Sequence, residues 1–355
     1  MPANLAPRRI LRRSDRLVRV LSDYEQVLVV THDNPDPDAI ATGWAVRRLI
    51  RSSLDKPVRV VAGGGIVRAE NRHMVRLLEP PIELVHDIEV PEGTAVVLVD
   101  CDFTSGNHLL SEHPAGPVAV IDHHLPSGKR GRLPFQDLRP HVAASASIAT
   151  SYLREQRVDP GPRLPTALLY AIRTETRAFE THHSRLDRSA ILWLTPAANP
   201  TQLAKIESAP LSQDYFTDLA LALERAFIYE DTALCLLPRA GSPEIVGEVA
   251  DLLIRHESVH RVLCCAAVGE DLFVSVRTEA ATESAADLVR VALKGLGRGG
   301  GHGHRAGGRI PGVVREGKIP DALQDQLRSQ WLSVTGVDRQ RGTRLVPKHE
   351  IVENL

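Results

Sequence analysis

The chain has 355 residues, a formal net charge of -1, 43% apolar residues and only 4% aromatic residues. That length accommodates two domains with separate cores, and the near-neutral charge excludes a global field for long nucleic acids, so any phosphate recognition has to be local. The four cysteines, Cys101, Cys235, Cys264 and Cys265, have no paired CxxC spacing, which fits reduced core thiols and argues against a cysteine zinc site.

In chain order, Arg8, Arg9, Arg12, Arg13, Arg16 and Arg19 first alternate with Ile10, Leu11, Leu17 and Val18 at roughly helical spacing. A basic amphipathic helix can target an organelle, touch a membrane or bind nucleic acid; here it reads as a solvated first helix packed on its domain. No apolar run reaches the roughly 18 residues of a membrane span and no secretory core is present, so no membrane association is expected and the expected location is cytoplasmic. Apolar, β-branched runs predict strands at 26–31, 58–62, 94–99 and 117–121. Helical patterns fall at 37–53, near 69–78, and near 145–155 and 164–174. Such alternation predicts an α/β domain with a doubly wound, mainly parallel sheet over residues 1–185. The Ala/Leu-rich stretch 186–230, broken at Pro196, Pro200 and Pro210, reads as a helical connector. Strands at 232–237, 261–268 and 272–276 with helices near 244–256 and 284–296 predict a smaller α/β domain over 231–320. Residues 321–355 read as a polar C-terminal tail without a motif.

The chemistry concentrates where the strands end. Thr31-His32-Asp33-Asn34-Pro35-Asp36-Pro37-Asp38 places a histidine and two carboxylates in an H-x3-D-x-D array just after the first strand. A mixed imidazole and carboxylate set suits Mn²⁺, Zn²⁺ or Fe better than Ca²⁺. The same residues also serve as turn chemistry, with Pro fixing φ and Asp capping a helix. Two further β-branched runs lead into Asp100-Cys101-Asp102 and Asp122-His123-His124. In open α/β sheets, ligands bind outside the carboxyl ends of the strands, so Asp36, Asp38, Asp100 and Asp122 are expected to share one crevice.

The H-x3-D-x-D turn, the Val-Val-Leu-Val-Asp run, the Asp122-His123-His124 triplet and the late Gly299-Gly300-Gly301-His302 segment, in that order, resemble the DHH phosphoesterase family with its DHH-associated C-terminal domain. The likeness runs from about Val27 to about Gly308. It implies a two-domain, two-metal phosphohydrolase whose two divalent ions are most often Mn²⁺. By the same resemblance, His32, Asp36 and Asp100 would hold the first metal, and Asp38, His123 and Asp100 again, as a bridge, would hold the second. A bridging carboxylate keeps two cations roughly 3.5–4 Å apart, where both attacking and leaving oxygens can be stabilised. The family's fourth motif carries Asp between threonines, whereas this chain has Thr174-Glu175-Thr176. Glu175 is the natural substitute as a second-metal ligand, with one more methylene to accommodate.

The resemblance further makes His124 a phosphate-contacting group that neutralises charge developing on phosphoryl oxygens, with Asp122 orienting a neighbouring imidazole. Asp102 either supports the site or caps the loop after its strand. Ser147 reads as the N-cap of a helix whose start faces the site. His73, His108, His113, His182 and His183 lack a ligand-type partner at motif spacing and read as surface or supporting residues. In the C-terminal domain, Gly300, Gly301, His302 and Arg305 lie in a glycine-rich stretch whose N–H groups can cradle an anion, although flexible linkers share that composition. Ser275-Val276-Arg277 resembles the family's strand with a substrate-binding arginine, whose planar fork suits phosphate; surface ion pairing is the other reading of Arg277.

The implied reaction is hydrolysis of phosphate esters in short oligonucleotides, linear or cyclic dinucleotides, or nucleotide 3′-phosphates, including an exoribonuclease activity on short RNA. Few aromatic platforms exist for long single strands, and no long duplex DNA is expected as a partner. A homodimer is left open. The alternative from another class is a nucleotide-binding sensor with weak or no catalysis, which the Glu175 departure keeps in view.

Overall fold

The computed structural model describes residues 11–104, 106–111, 113–124, 131–176, 183–279, 283–301, 303–338 and 341–347. It divides into two compact units, residues 1–210 and 211–355.

The first unit runs α1 (Arg13–Ser22), β1 (Gln26–Val30), α2 (Pro37–Leu54), β2 (Val58–Ala62), α3 (Ala69–Leu78), β3 (Ile82–Leu84), β4 (Thr94–Val99), β5 (Ala119–Asp122), β6 (Phe135–Leu138), α4 (Ser145–Gln156), α5 (Leu164–Thr176), α6 (Arg185–Leu194) and α7 (Pro200–Glu207). The strands form one parallel sheet in the order β3-β2-β1-β4-β5-β6. Near-continuous Val, Ile and Leu runs suit strands covered on both faces. Val27 and Val29 join the core under the helices, with Ile40, Met74, Ile148 and Leu168. Leu28 and Val30 point into a second core. That second layer is closed by Ile88, Cys101 and Leu110, which belong to segments between strands rather than to helices. α1 buries Leu17 and Leu21, so the arginine-rich segment from residue 11 onward is a helix packed on its domain; Arg8, Arg9 and Ile10 lie outside the described residues.

Strand order decides where a site can form. From β1 the chain crosses to β2 on one side, while β4 leads to β5 on the other, so the order reverses between the neighbours β1 and β4. At such a switch point the connections diverge and leave a crevice at the carboxyl ends of both strands.

The second unit contains α8 (Gln213–Arg225), β7 (Ala226–Tyr229), β8 (Thr232–Leu237), α9 (Glu244–Leu253), β9 (Arg261–Val268), β10 (Asp271–Thr278), α10 (Ala285–Ala292), β11 (Arg298–Gly301), β12 (Arg305–Ile310), α11 (Asp321–Thr335) and β13 (Thr343–Arg344). Its sheet has the order β11-β12-β10-β9-β8-β7-β13. Only β8 and β9 pair in parallel.

Two expected boundaries differ here. The stretch 186–230 is divided between the units: α6 and α7 fall in the first, and α8 falls in the second, where Ala222 joins the core under β8 and α9. Residues 321–355 include a core helix. α11 buries Leu327 and Trp331, and the indole N–H of Trp331 donates to the Ala233 carbonyl at 3.2 Å. Among the described residues no helix is long and apolar enough to cross a membrane.

Candidate metal centre

β1 ends at Val30, and the turn that follows delivers His32, Asp36 and Asp38 before α2 is established. Pro37 fits the first helical position because its missing N–H has no intrahelical role there. Asp36 is the N-cap, accepting from Ala39 N at 3.0 Å. This capping residue is also the most exposed of the three carboxylates Asp36, Asp38 and Asp100. Asp100 follows β4 with φ 57° and Asn34 has φ 55°. Left-handed backbone at non-glycine residues is costly and is retained where the surroundings over-determine it.

Asp100 is the hub. Its Oδ2 lies 3.7 Å from His32 Nε2, and Asp36 Oδ1 lies 3.8 Å from the same nitrogen. Its Oδ1 lies 3.5 Å from His123 Nε2, which is also 3.7 Å from Asp38 Oδ2. His32-Asp36-Asp100 and Asp100-His123-His124 each bring one ligand-type atom per residue within 4.8 Å of the others, and they share Asp100. Both imidazoles are held from behind. His32 Nδ1–H donates to the Asp33 carbonyl at 2.9 Å and His123 Nδ1–H to the Val142 carbonyl at 3.3 Å, leaving Nε2 to face the carboxylates, the arrangement that metal-ligating histidines adopt.

Asp38 is almost fully buried at the start of α4. Its carboxylate accepts from Ser145 N at 2.8 Å and Ala146 N at 2.7 Å, so the free N–H groups and positive dipole end of that helix face the centre. Ser145 Oγ donates to Asp100 Oδ1 at 2.8 Å. The start of α4 therefore does face the site, but Ala144, not Ser147, is its N-cap, and Ser147 Oγ is buried without a hydrogen-bond partner. Ser145 was not singled out from the sequence. Its signal was the small-residue run Ala143-Ala144-Ser145-Ala146-Ser147, which lets a helix start approach two carboxylates closely.

Proton affinities express the crowding. Burial and the charges of Asp38, Asp36 and Asp122 push Asp100 well above the usual carboxylate range. Burial and Asp36 raise Asp38 to about 7 despite its two N–H donors. For His32, burial opposes the charged form, yet the hydrogen bond and charge of Asp36 raise it to about 9. Burial likewise works against His124, and Asp122 overcomes it to raise the imidazole; the same contact overcomes burial at Asp122 and lowers that carboxyl. His124 Nδ1–H donates to Asp122 Oδ1 at 2.7 Å. Among the described residues, Asp36, Asp38 and Asp100 have histidines but no lysine or arginine as ion-pair partners. Buried, crowded carboxylates with raised proton affinity and no lysine or arginine partner, beside oriented imidazole nitrogens, are a donor set that fits divalent metal.

The remaining expected residues lie outside these two clusters. Glu175, half-buried in the last turn of α5, is in neither cluster. Asp102 caps its own loop, accepting from Thr104 N at 3.2 Å and Thr104 Oγ1 at 2.8 Å. His108 is buried, not at the surface, and its backbone bridges to that of His32. His182 and His302 lie outside the described residues.

In the second unit, Arg277 and Arg305 are neighbours across β10 and β12, but Arg277 is turned inward. Its Nε donates to Asp251 Oδ1 at 2.7 Å, Nη1 to Ser275 Oγ at 2.6 Å and the Val276 carbonyl at 2.9 Å, and Nη2 to the Gly247 carbonyl at 3.3 Å and Asp251 Oδ2 at 3.4 Å. Five donors are all a guanidinium has, so a phosphate accepted by Arg277 would have to displace one of these partners. Arg305 is more exposed, with Nη2 at 3.8 Å from the same Asp251. Gly300 has open space where a side chain would start. Gly301 does not: a Cβ there would lie 2.4 Å from Ala306 Cα. The β11–β12 hairpin thus uses glycine partly for close backbone packing.

Residues 26–172 match the DHH family, N-terminal domain. The chain is 30% identical over 318 residues to an uncharacterized protein of Methanocaldococcus jannaschii, covering 88% of this chain and 64% of that protein. It is 24% identical over 334 residues to the cyclic-di-AMP phosphodiesterase GdpP of Geobacillus thermodenitrificans, covering 88% of this chain and 49% of that protein. The chain therefore spans about two thirds and about half of the length of these relatives. Its fold is similar to that of an exopolyphosphatase-related protein from Bacteroides fragilis, with a TM-score of 0.71 and 16% identity, over 93% of this chain and 100% of that one.

Proposed function

Residues 26–172 match the N-terminal domain of the DHH family, and from that match we propose that the chain is a divalent-metal-dependent phosphoesterase of this family. Its substrates in this reading are short oligonucleotides, linear or cyclic dinucleotides, or nucleotide 3′-phosphates. The observation that carries the proposal is one buried carboxylate, Asp100, shared by two clusters of imidazole and carboxylate donors.

His32, Asp36 and Asp100 would hold one ion, and Asp38, His123 and Asp100 the other, with Mn²⁺ the expected metal. When bound, the ions would supply Lewis acidity at a phosphoryl oxygen and a more acidic water. The chain's own groups do the rest. The N–H pair at the start of α4 keeps Asp38 turned inward, and carbonyls 33 and 142 keep the Nε2 atoms of His32 and His123 on the carboxylate side. His124 is partly exposed, and its Nδ1–H is engaged by Asp122. In its protonated form Nε2–H can therefore donate to a phosphoryl or leaving oxygen, with the positive charge stabilised where negative charge develops.

A cyclic dinucleotide belongs in the panel because one relative is named for that activity. Purified, metal-depleted protein would be given Mn²⁺ and offered a linear dinucleotide, cyclic-di-AMP and 3′-phosphoadenosine phosphate, with products separated by chromatography. Metal-dependent release of mononucleotide or phosphate from at least one compound is the expected result. The second reading, a sensor that binds nucleotide without turnover, is kept in view by Glu175 standing where the family carries Asp; saturable binding with no product from any compound would establish it in place of the first.

A further inference from the structure

One short stretch of backbone touches both halves of the metal centre. In Val142–Ala146, the Val142 carbonyl accepts from His123, Ser145 N and Ala146 N donate to Asp38, and Ser145 Oγ donates to Asp100. Any shift of this segment would move three supposed ligands together. Behind it sits Asp187 in the first turn of α6, fully buried. Its Oδ2 accepts from Ser184 N at 2.6 Å and Ser184 Oγ at 2.7 Å, which caps α6, and also from Ala143 N at 3.1 Å. The cap of α6 needs only the contacts with Ser184. The bond to Ala143 reaches across 44 positions of sequence to the middle of the segment. Among the described residues, Oδ1 of Asp187 is buried with no hydrogen-bond partner, and Oδ2 takes all three donors.

We propose that Asp187 is a positioning residue for the metal centre: it clamps the Ala143 N–H, and through Val142–Ala146 it sets the placement of His123, Asp38 and Asp100. The proposal rests on the metal-dependent reading given above. It also separates two roles that one carboxylate combines, a helix cap and a brace.

Ser184→Ala removes the cap of α6 without touching Ala143 and is the control for the structural role. Metal-depleted full-length protein would be titrated calorimetrically with Mn²⁺ alone, and melting followed in parallel. Ser184→Ala and Asp187→Ala should lower the melting temperature alike, while only Asp187→Ala weakens Mn²⁺ binding, by about 10- to 100-fold as for other groups that support metal ligands. Asp187→Asn, which keeps one oxygen in place, should recover most of the affinity. If Asp187→Ala does not fold, Asp187→Glu preserves a capping box with Ser184 but displaces the carboxylate, and it should show the same loss of affinity. Equal Mn²⁺ affinity in wild type, Ser184→Ala and the Asp187 variants would overturn the bracing role and leave Asp187 a cap. Absence of Mn²⁺ binding by the wild type itself would instead defeat the metal centre, and this inference with it.

Discussion

In the first unit, Asp36, Asp38 and Asp100 face two imidazoles with no lysine or arginine partner among the described residues, and burial and like-charge crowding raise the proton affinity of Asp38 and Asp100. In the second unit, Arg277 finds an acceptor for every N–H it carries, and a glycine of the neighbouring hairpin is packed against backbone. Both places are assembled from motif residues, yet one leaves its charge for something else to neutralise and the other neutralises its own. The lesson is that a motif identifies which side chains converge, while only their partners reveal whether the binding capacity is still on offer. Crowded buried carboxylates are costly to ionise together, and a divalent cation is the partner that would let them do so.

The contrast breaks most visibly at Asp100. Asp100→Ala removes the residue common to both clusters and should lower turnover by more than the roughly 10²–10³-fold that loss of one stabilising donor costs. The metal-free fold should survive, since like-charge crowding is relieved. Initial rates with Mn²⁺ and a thermal melt on the same preparation test both halves, and near-normal turnover would remove Asp100 from the centre of the account.

In the second unit the expected losses are of stability. Arg277→Ala leaves Asp251 without its principal partner and should cost about 1–3 kcal/mol, whereas adding Asp251→Ala should return part of that cost. Denaturant unfolding of both variants measures it; strict additivity would mean that Arg277 is not spent on Asp251. Gly301→Ala should also destabilise, by about 1–3 kcal/mol, because the new methyl must displace the Ala306 backbone. Gly300→Ala, with open space around it, should stay within about 0.5 kcal/mol of wild type. Equal effects at the two glycines would contradict the packing account of the hairpin.

A last contrast is the pH dependence of the metal-free protein. Asp38 is raised in the fold to about 7 and Asp100 is raised well above its ordinary value. A raised folded value means that the fold binds the proton more tightly than the unfolded chain does. That contribution is complete below the ordinary carboxylate range and is lost as pH climbs through the raised values. His32, raised to about 9, adds a loss in the same direction at higher pH. The melting temperature of the metal-free chain should therefore fall between about pH 5 and about pH 9, and saturating Mn²⁺ should flatten the decline. A melting temperature that climbs over that interval without metal would contradict the crowded centre.

The parallel sheet was legible because Gln26–Val30, Val58–Ala62 and Thr94–Val99 are near-continuous β-branched apolar runs, the pattern of strands largely covered on both faces. β3 and β6 were not legible. Each is three or four residues long, with prolines just before it and polar positions within it, so neighbouring strands rather than local preference recruit it. α11 was passed over for its polarity, although Leu323, Leu327 and Trp331 recur every fourth residue. At the centre, residue type and position at strand ends singled out His32, Asp36, Asp38, Asp100 and Asp122, while the choice of His123 as a ligand came from the family resemblance. Ser145 and Asp187 were not singled out. Their contacts run through backbone N–H groups and hydroxyls, which no ligand spacing marks; the small-residue run around Ser145 was the one sequence sign of a close helix start.

The central claim is that two cations sit side by side on Asp100. The most direct test titrates the metal-depleted chain with Mn²⁺ and records its frozen-solution electron paramagnetic resonance spectrum at saturation. The account predicts two ions per chain and an exchange-coupled signal, which requires a shared bridge. A single ion per chain, or two ions giving only the uncoupled six-line spectrum of isolated Mn²⁺, would contradict it.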